Sequence, residues 1–258
     1  FFDKTYVCLG TDISSRMKNQ VLTTVNQCLL NGQVTVSDAD GIHPQERGSR
    51  MKKGVRWVVH DRVGYYFLNK ENVILSNQRT EGSWKIANRQ TTTPTDIIQQ
   101  DVFTLSVDHG SYPNNEGYAY MVVPSADPLS IEKQVEEEGV VVLANCPDVQ
   151  AVRHDGLNMA YAVFYKGGTL RIHDKIVVEM DAPGMLMVKY NDAGEILTLG
   201  VSDPTRFMKK LHLSVNQRIV GTAQENIQTE WDGKQALTRI SVDLPQNEYA
   251  GKSVIYNK

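Results

Sequence analysis

Apolar and polar residues alternate with period two in short runs, and clusters of Gly, Asn, Asp and Pro separate the runs. No other feature limits the fold of this chain more. Phe103, Leu105 and Val107 alternate with Thr104, Ser106 and Asp108. Leu211, Leu213 and Val215 flank His212 and Ser214, and Ile240, Val242 and Leu244 flank Ser241 and Asp243. A run of this kind sorts into one dry and one wet face only as a β-strand. Between residues 157 and 165, Met159, Tyr161, Val163 and Tyr165 share one face, and Asn158, Ala160, Ala162 and Phe164 share the other. Turn chemistry marks residues 61–64, 112–117, 166–168, 181–184 and 191–194, where Gly, Asn or Pro supplies the backbone angles of a tight reversal. Strands spaced by about 8 to 12 residues favour packed antiparallel sheets over alternating strand and helix units. One helix is expected, over residues 130–138: Ser130 caps it, Ile131 and Val135 stand four apart, and Gly139 stops it.

At 258 residues the chain has room for one large domain or two modest ones. The pattern restarts after the helix with Val140 to Ala144, and the expected domain boundary falls near Leu143 to Pro147, giving domains 1–143 and 144–258. Lys plus Arg number 27 and Asp plus Glu 30, a net charge of −3. That balance supplies no global field for nucleic acid or an anionic membrane, so only a local patch could act. The apolar runs are far shorter than the roughly 20 residues of a membrane-spanning helix. Three cysteines, Cys8, Cys28 and Cys146, form at most one pair and cannot staple the fold. The opening Phe1-Phe2-Asp3-Lys4-Thr5-Tyr6 lacks an initiator Met and a signal-type core and reads as a strand already begun. The expectation is a piece of a longer polypeptide.

Residues 57–67 hold the most tempting catalytic constellation: His60, Asp61, Arg62, Tyr65 and Tyr66 in close sequence. Alone, they would supply a general base and a phenolic acid. Periodicity points elsewhere. Val55, Trp57 and Val59 are expected on one strand face, with Arg56, Val58 and His60 on the other, so His60 would flank a hairpin turn anchored by Asp61. His43, His109, His154, His173 and His212 show no zinc-ligand spacing, and no P-loop, G-x-S-x-G or dinucleotide fingerprint occurs. Asp38, Asp40 and Gly41 resemble a calcium loop only faintly, since the terminal bidentate Glu is missing, and they read as an acidic loop. Trp84 is expected in the core, the rival reading being a platform on which a sugar ring stacks. Arg47, Arg50, Lys52, Lys53 and Arg56 form the densest basic cluster. A solvated loop is the ordinary reading of such charges; the functional reading is a grip on carboxylate or sulfate groups.

Several segments together resemble the β-rich part of the family 8 polysaccharide lyases, the family of chondroitin, hyaluronan and xanthan lyases. They are Val7-Cys8-Leu9-Gly10-Thr11-Asp12-Ile13, Thr23-Thr24-Val25-Asn26-Gln27, residues 57–67, Gly82-Ser83-Trp84 with Asn88, Asp108-His109-Gly110, residues 118–124, Val142-Leu143-Ala144-Asn145, Gln150-Ala151-Val152 and Phe164-Tyr165. Each is weak singly; their order along the chain is specific, and the detail is most similar to the chondroitin AC type. The resemblance implies an all-β fold, the end of a large antiparallel supersandwich followed by a smaller C-terminal β-sandwich. It implies β-elimination on a uronic-acid polysaccharide, in which a base takes the C5 proton while the carboxylate is neutralised. In the family that chemistry sits on an upstream helical toroid, so no catalytic residue carries over to residues 1–258. The implied partners are an acidic polysaccharide and the upstream helical catalytic domain, with no nucleic acid or membrane, no cofactor or metal, and a secreted or periplasmic location. Arg47, Arg50, Lys52, Lys53 and Arg56 are the expected substrate-binding residues. Two rivals stand beside this reading: a free-standing carbohydrate-binding module, and an autonomous enzyme built on His60, Asp61 and Tyr65.

Overall fold

A computed structural model of the chain describes residues 1–219 and 225–258. It divides into two compact units, Phe1–Lys133 and Gln134–Lys258. The first contains β1 (Tyr6–Ile13), β2 (Gln20–Leu29), β3 (Val34–Asp38), β4 (Gly41–Pro44), β5 (Ser49–His60), β6 (Val63–Gly82), a one-turn α1 (Trp84–Ala87), β7 (Ile98–Ser111) and β8 (Glu116–Pro124). The expected acidic helix is α2 (Ile131–Glu138), within which the chain passes from the first unit to the second. The second unit contains β9 (Val140–Cys146), β10 (Val149–His154), β11 (Met159–Phe164), β12 (Gly168–His173), β13 (Ile176–Met180), β14 (Gly184–Tyr190), β15 (Ile196–Ser202), β16 (Lys210–Val215), β17 (Ile227–Asp232), β18 (Leu237–Asp243) and β19 (Val254–Asn257). Residue 143, where the sequence pattern sets the domain change, lies within β9.

The strands of the first unit form one antiparallel sheet in the order β1-β8-β6-β5-β3-β4, with β7 on the far half of β6 and β2 beyond β7. The 20-residue β6 makes this possible. Its start, Val63 to Phe67, pairs with β8, and its far half, Val73 to Gly82, pairs with β7. Phe103, Leu105 and Val107, expected on one face, are buried together with Val58, Tyr65, Phe67, Val73 and Leu75. The hairpin from β5 to β6 closes through Asp61 and Arg62, whose φ values of 47° and 63° are those a two-residue mirror-image turn demands.

Gly64, grouped with that turn in the sequence, lies inside β6 for a different reason. A Cβ there would fall 2.4 Å from Ile131 Cδ1 and 2.9 Å from Ala126 Cβ, so only glycine lets α2 approach the sheet. Val55 is a correction. It joins the core of Val58 and Tyr65 and not the face of Trp57 and Val59. The register shifts on both sides of Val55, between Lys52 and Val55 and again between Val55 and Trp57, so the alternation does not run through it.

The second unit is a sandwich of a six-stranded sheet, β19-β15-β14-β11-β10-β9, and a five-stranded sheet, β12-β13-β16-β18-β17. Leu211, Leu213, Val215, Ile240, Val242 and Leu244 all enter its core, as their alternation predicts. On β11 the small face is the inner one: Ala160, Ala162 and Phe164 are buried, while Met159, Tyr161 and Val163 are only partly covered. Small side chains on a central strand let the opposite sheet come close without overpacking. The fold is thus one large antiparallel sheet followed by a separate β-sandwich.

Candidate functional site

His60 sits at the end of β5 with 2% of its surface exposed and stacks on Phe103, ring centroids 4.3 Å apart. Its Nε2 accepts the Asn31 backbone N–H at 3.0 Å, which leaves the ring proton on Nδ1, 3.7 Å from Cys28 Sγ. A ring protonated on the side facing the thiol cannot act as that thiol's base. Burial holds the His60 pKa below its ordinary value, against the pull of the Asp61 carboxylate, and burial raises the Cys28 thiol. Both groups are therefore neutral and tied off near pH 7. Tyr65 is pushed by burial up to about 12 while it accepts a hydrogen bond from Asn26. This end of the sheet is a satisfied polar core of the kind the turn reading predicts.

The remaining histidines among the described residues also have local partners where the structure records them. His43 meets Asp38 at 3.1 Å, His109 meets Thr23 Oγ1 at 2.8 Å, and His154 meets Glu138. Among the described residues no group of three or more His, Cys, Asp or Glu is placed to hold a metal ion. Asp38, the first residue of the faint calcium motif, turns its carboxylate onto Lys52 at 3.1 Å, His43 and the Asp40 backbone N–H.

The five basic residues separate into distinct environments. Lys52 is drawn onto Asp38, whose side chain is 4% exposed, and clasps the β3–β4 hairpin to β5. Arg56 pairs with Glu132 at 3.2 Å, and the same carboxylate accepts the Trp57 Nε1–H at 3.1 Å, so Arg56 and Trp57 together pin α2 to the sheet. Arg50 bridges to Glu46 at 2.6 Å and Arg47 to Asp101 at 2.7 Å, both in the open. Lys53 is exposed with no carboxylate partner among the described residues. Arg47 holds the Asp101 carboxyl below its usual range, and Arg79 of β6 lies 3.7 Å from the same carboxylate.

Arg79 leads to the part of the site that sequence reasoning missed. The pairing of Arg79 with Asp101 and of Gly82 with Ile98 brings the far end of the β6–β7 hairpin beside the start of β5. The connection between β6 and β7 carries Trp84, 61% exposed, with Ile86 and Ile97 also exposed, as is Ile98 where β7 begins. Core placement of Trp84 is thereby overturned. The one turn of α1 is capped by Ser83, and nothing in the described structure covers the indole. Large apolar residues in a connection rich in Thr, Gln and Asn were the available signal: such a loop has no sheet face to bury them in. Around Asp101 the guanidinium groups of Arg47 and Arg79 gather in the open, and the connection further along β6 holds out a sugar-sized aromatic ring.

A groove of about 580 Å³ lies elsewhere, over the five-stranded sheet of the second unit, where Glu179, Asp181, Glu230, His212, Gln228 and Arg239 line it. Three carboxylates face a single guanidinium that already pairs with Asp232, which makes the groove a poor seat for a polyanion.

The super-sandwich domain of polysaccharide lyase family 8 matches residues 1–135, and the family's C-terminal β-sandwich domain matches residues 141–212. The chain belongs to polysaccharide lyase family 8. It is 34% identical over 98% of its length to the chondroitinase-AC of Pedobacter heparinus, covering 33% of that protein. It is 26% identical over 80% of its length to a xanthan lyase of a Bacillus species, covering 23% of that protein. Among solved structures, a chondroitinase AC lyase studied as oligosaccharide complexes superposes over 99% of this chain and 35% of its own, with a TM-score of 0.82 and 33% identity. The chain thus spans about a third of the length of these chondroitinase relatives.

Proposed function

We propose that this chain is the non-catalytic β-domain portion of a glycosaminoglycan lyase that cleaves chondroitin or hyaluronan by β-elimination. Its part is to support the substrate cleft, and the proton-transfer groups belong to an upstream helical domain of the same, exported polypeptide. The observation that carries this reading is the contrast within the first unit. His60 and Tyr65 are tied off in a neutral core, while Trp84 and three arginines face solvent. Within the basic cluster, Arg47, Arg50 and Lys53 are the residues offered to substrate; Lys52 and Arg56 are committed to ion pairs that hold the fold. An exposed bridge such as Arg47 to Asp101 exchanges its carboxylate readily for one on a passing uronate, because its net stability is small.

Two measurements test this. The 258-residue chain mixed with chondroitin or hyaluronan should give no rise in the ultraviolet absorbance of unsaturated product. Sustained turnover that vanishes in His60→Ala would overturn the reading in favour of the autonomous enzyme. In the intact enzyme, Arg47→Ser, Arg50→Ser and Lys53→Ser together should raise KM. The effect should shrink at high salt, where exposed charges are screened within about 8 Å or less. An unchanged KM at low salt would remove these residues from the cleft.

A further inference from the structure

The second unit carries an aromatic and basic surface of its own, in two loops that the lyase reading does not use. One runs over residues 203–209 between β15 and β16, and the other over residues 244–253 between β18 and β19. The first is held rigidly from within. Asp203, 4% exposed, accepts the backbone N–H of Thr205 at 2.8 Å, of Phe207 at 2.9 Å and of Met208 at 2.8 Å, and the Thr205 hydroxyl at 2.6 Å. The second is tied to it. Gln246 Nε2 donates to Met208 O at 3.0 Å and to Leu244 O at 2.9 Å, and the Leu244 N–H donates to Lys209 O at 2.9 Å.

This network does not bury the residues it positions. Phe207 is 89% exposed and Tyr249 60% exposed. Arg206 and Asn247 are held at φ values of 67° and 57°, in the left-handed region that non-glycine residues occupy at a cost. The Arg206 side chain lies over Gly251, where a Cβ would come within 3.3 Å of its Cγ, and its Nη2 reaches Asn247 O at 3.5 Å. Lys252 Nζ stands 5.9 Å above the Tyr249 ring. Among the described residues none of Arg206, Lys209 and Lys252 has a carboxylate partner, and Glu248 is the one acid of these two stretches beyond the capped Asp203. A locally cationic surface on a chain of net charge −3 stands against the global balance.

We propose that this two-loop platform is a second binding site for an acidic polysaccharide, separate from the rim around Trp84. Phe207 and Tyr249 offer flat apolar faces to the C–H faces of hexose rings. Arg206, Lys209 and Lys252 meet carboxylate or sulfate groups, with the guanidinium able to grip two oxygens at once. The platform would tether the polymer to the enzyme, raising its effective concentration there. The inference rests on the polyanion-lyase reading for its choice of ligand, but it concerns binding and not turnover.

The test uses the 258-residue chain carrying Arg47→Ser, Arg50→Ser, Lys53→Ser, Arg79→Ser and Trp84→Ala, so that binding retained by this host reports on the second unit. Affinity electrophoresis through gels containing chondroitin, hyaluronan or neutral dextran should show salt-sensitive retardation by the two acidic polymers and none by dextran. Phe207→Ala and Lys252→Ser should each weaken that retardation by about tenfold, the loss of one good contact, with an unchanged melting temperature because both side chains are exposed. No retardation of the host, equal retardation by dextran, or retardation indifferent to both substitutions would overturn the site. None of these results bears on the lyase reading, which stands or falls on unsaturated product from the intact enzyme.

Discussion

The two ends of the β5–β6 ladder use the same residue types for opposite purposes. At the turn end, Trp57 is fully buried, His60 is 2% exposed and Tyr65 4%, and the polar atoms of Trp57, His60 and Tyr65 all have partners. At the far end, Trp84 is 61% exposed and the arginines stand in bridges open to water. Burying an aromatic with its polar atom satisfied stabilises a fold; leaving one uncovered on a tethered loop keeps its apolar face for a partner. Chemistry-bearing side chains are thus not evidence of chemistry until their burial is known.

The difference breaks first at Trp57. Trp57→Ala should destabilise the chain by about 3 to 5 kcal/mol through lost burial and a cavity, and it also leaves Glu132 without its indole donor. Chemical denaturation followed by circular dichroism measures it. A cost below that of an exposed site would mean that α2 does not seal this face.

Next is the buried ion pair. Lys52→Ala removes the ammonium from a carboxylate whose side chain is 4% exposed. His43 and the Asp40 N–H remain, so the loss should be about 1 to 3 kcal/mol. Arg50→Ala should cost no more than about 0.5 kcal/mol, since its bridge is open to water. Equal effects would erase the distinction between clasp and rim within the basic cluster.

A third test uses pH. Burial, assisted by the neighbouring Glu116 carboxylate, raises Glu71 from the ordinary 4.5 to about 7. Its folded pKa lies above its unfolded one, so the stability it contributes is complete below pH 4.5 and is lost as pH rises through 7. Glu71→Gln should therefore stabilise the chain above pH 7 by on the order of 1 to 2 kcal/mol, allowing for partial exposure. It should also flatten the stability profile between the two pKa values. His60 has the opposite sign, its depressed pKa favouring the fold above 6.5 and withdrawing that support as pH falls. A profile identical in Glu71→Gln and the parent would place the titration elsewhere.

A fourth test concerns Trp84. Trp84→Ala should change stability by less than about 1 kcal/mol and should lower the affinity of the intact enzyme for its polymer. A loss as large as that of Trp57→Ala would return Trp84 to the core and remove it from the rim.

What the sequence alone could determine was whatever depends on near neighbours. Strand alternation at Phe103, Leu211 and Ile240, the turn at Asp61, the acidic helix and the structural place of His60 beside that turn follow from spacing over a few residues, and each appears in the structure. Tertiary structure decided the rest, because burial depends on contacts between residues distant in the chain. The register shifts around Val55 break the alternation of β5, and only Gly54 marks the place in the sequence. Trp84 is left outside because the β6–β7 connection extends past the paired strands, and Trp57 is sealed inside by a helix 75 residues further on. Lys52 and Arg50 are indistinguishable as letters. Asp38, fourteen residues before Lys52 and buried by the fold, turns one into a clasp while the other stays in water.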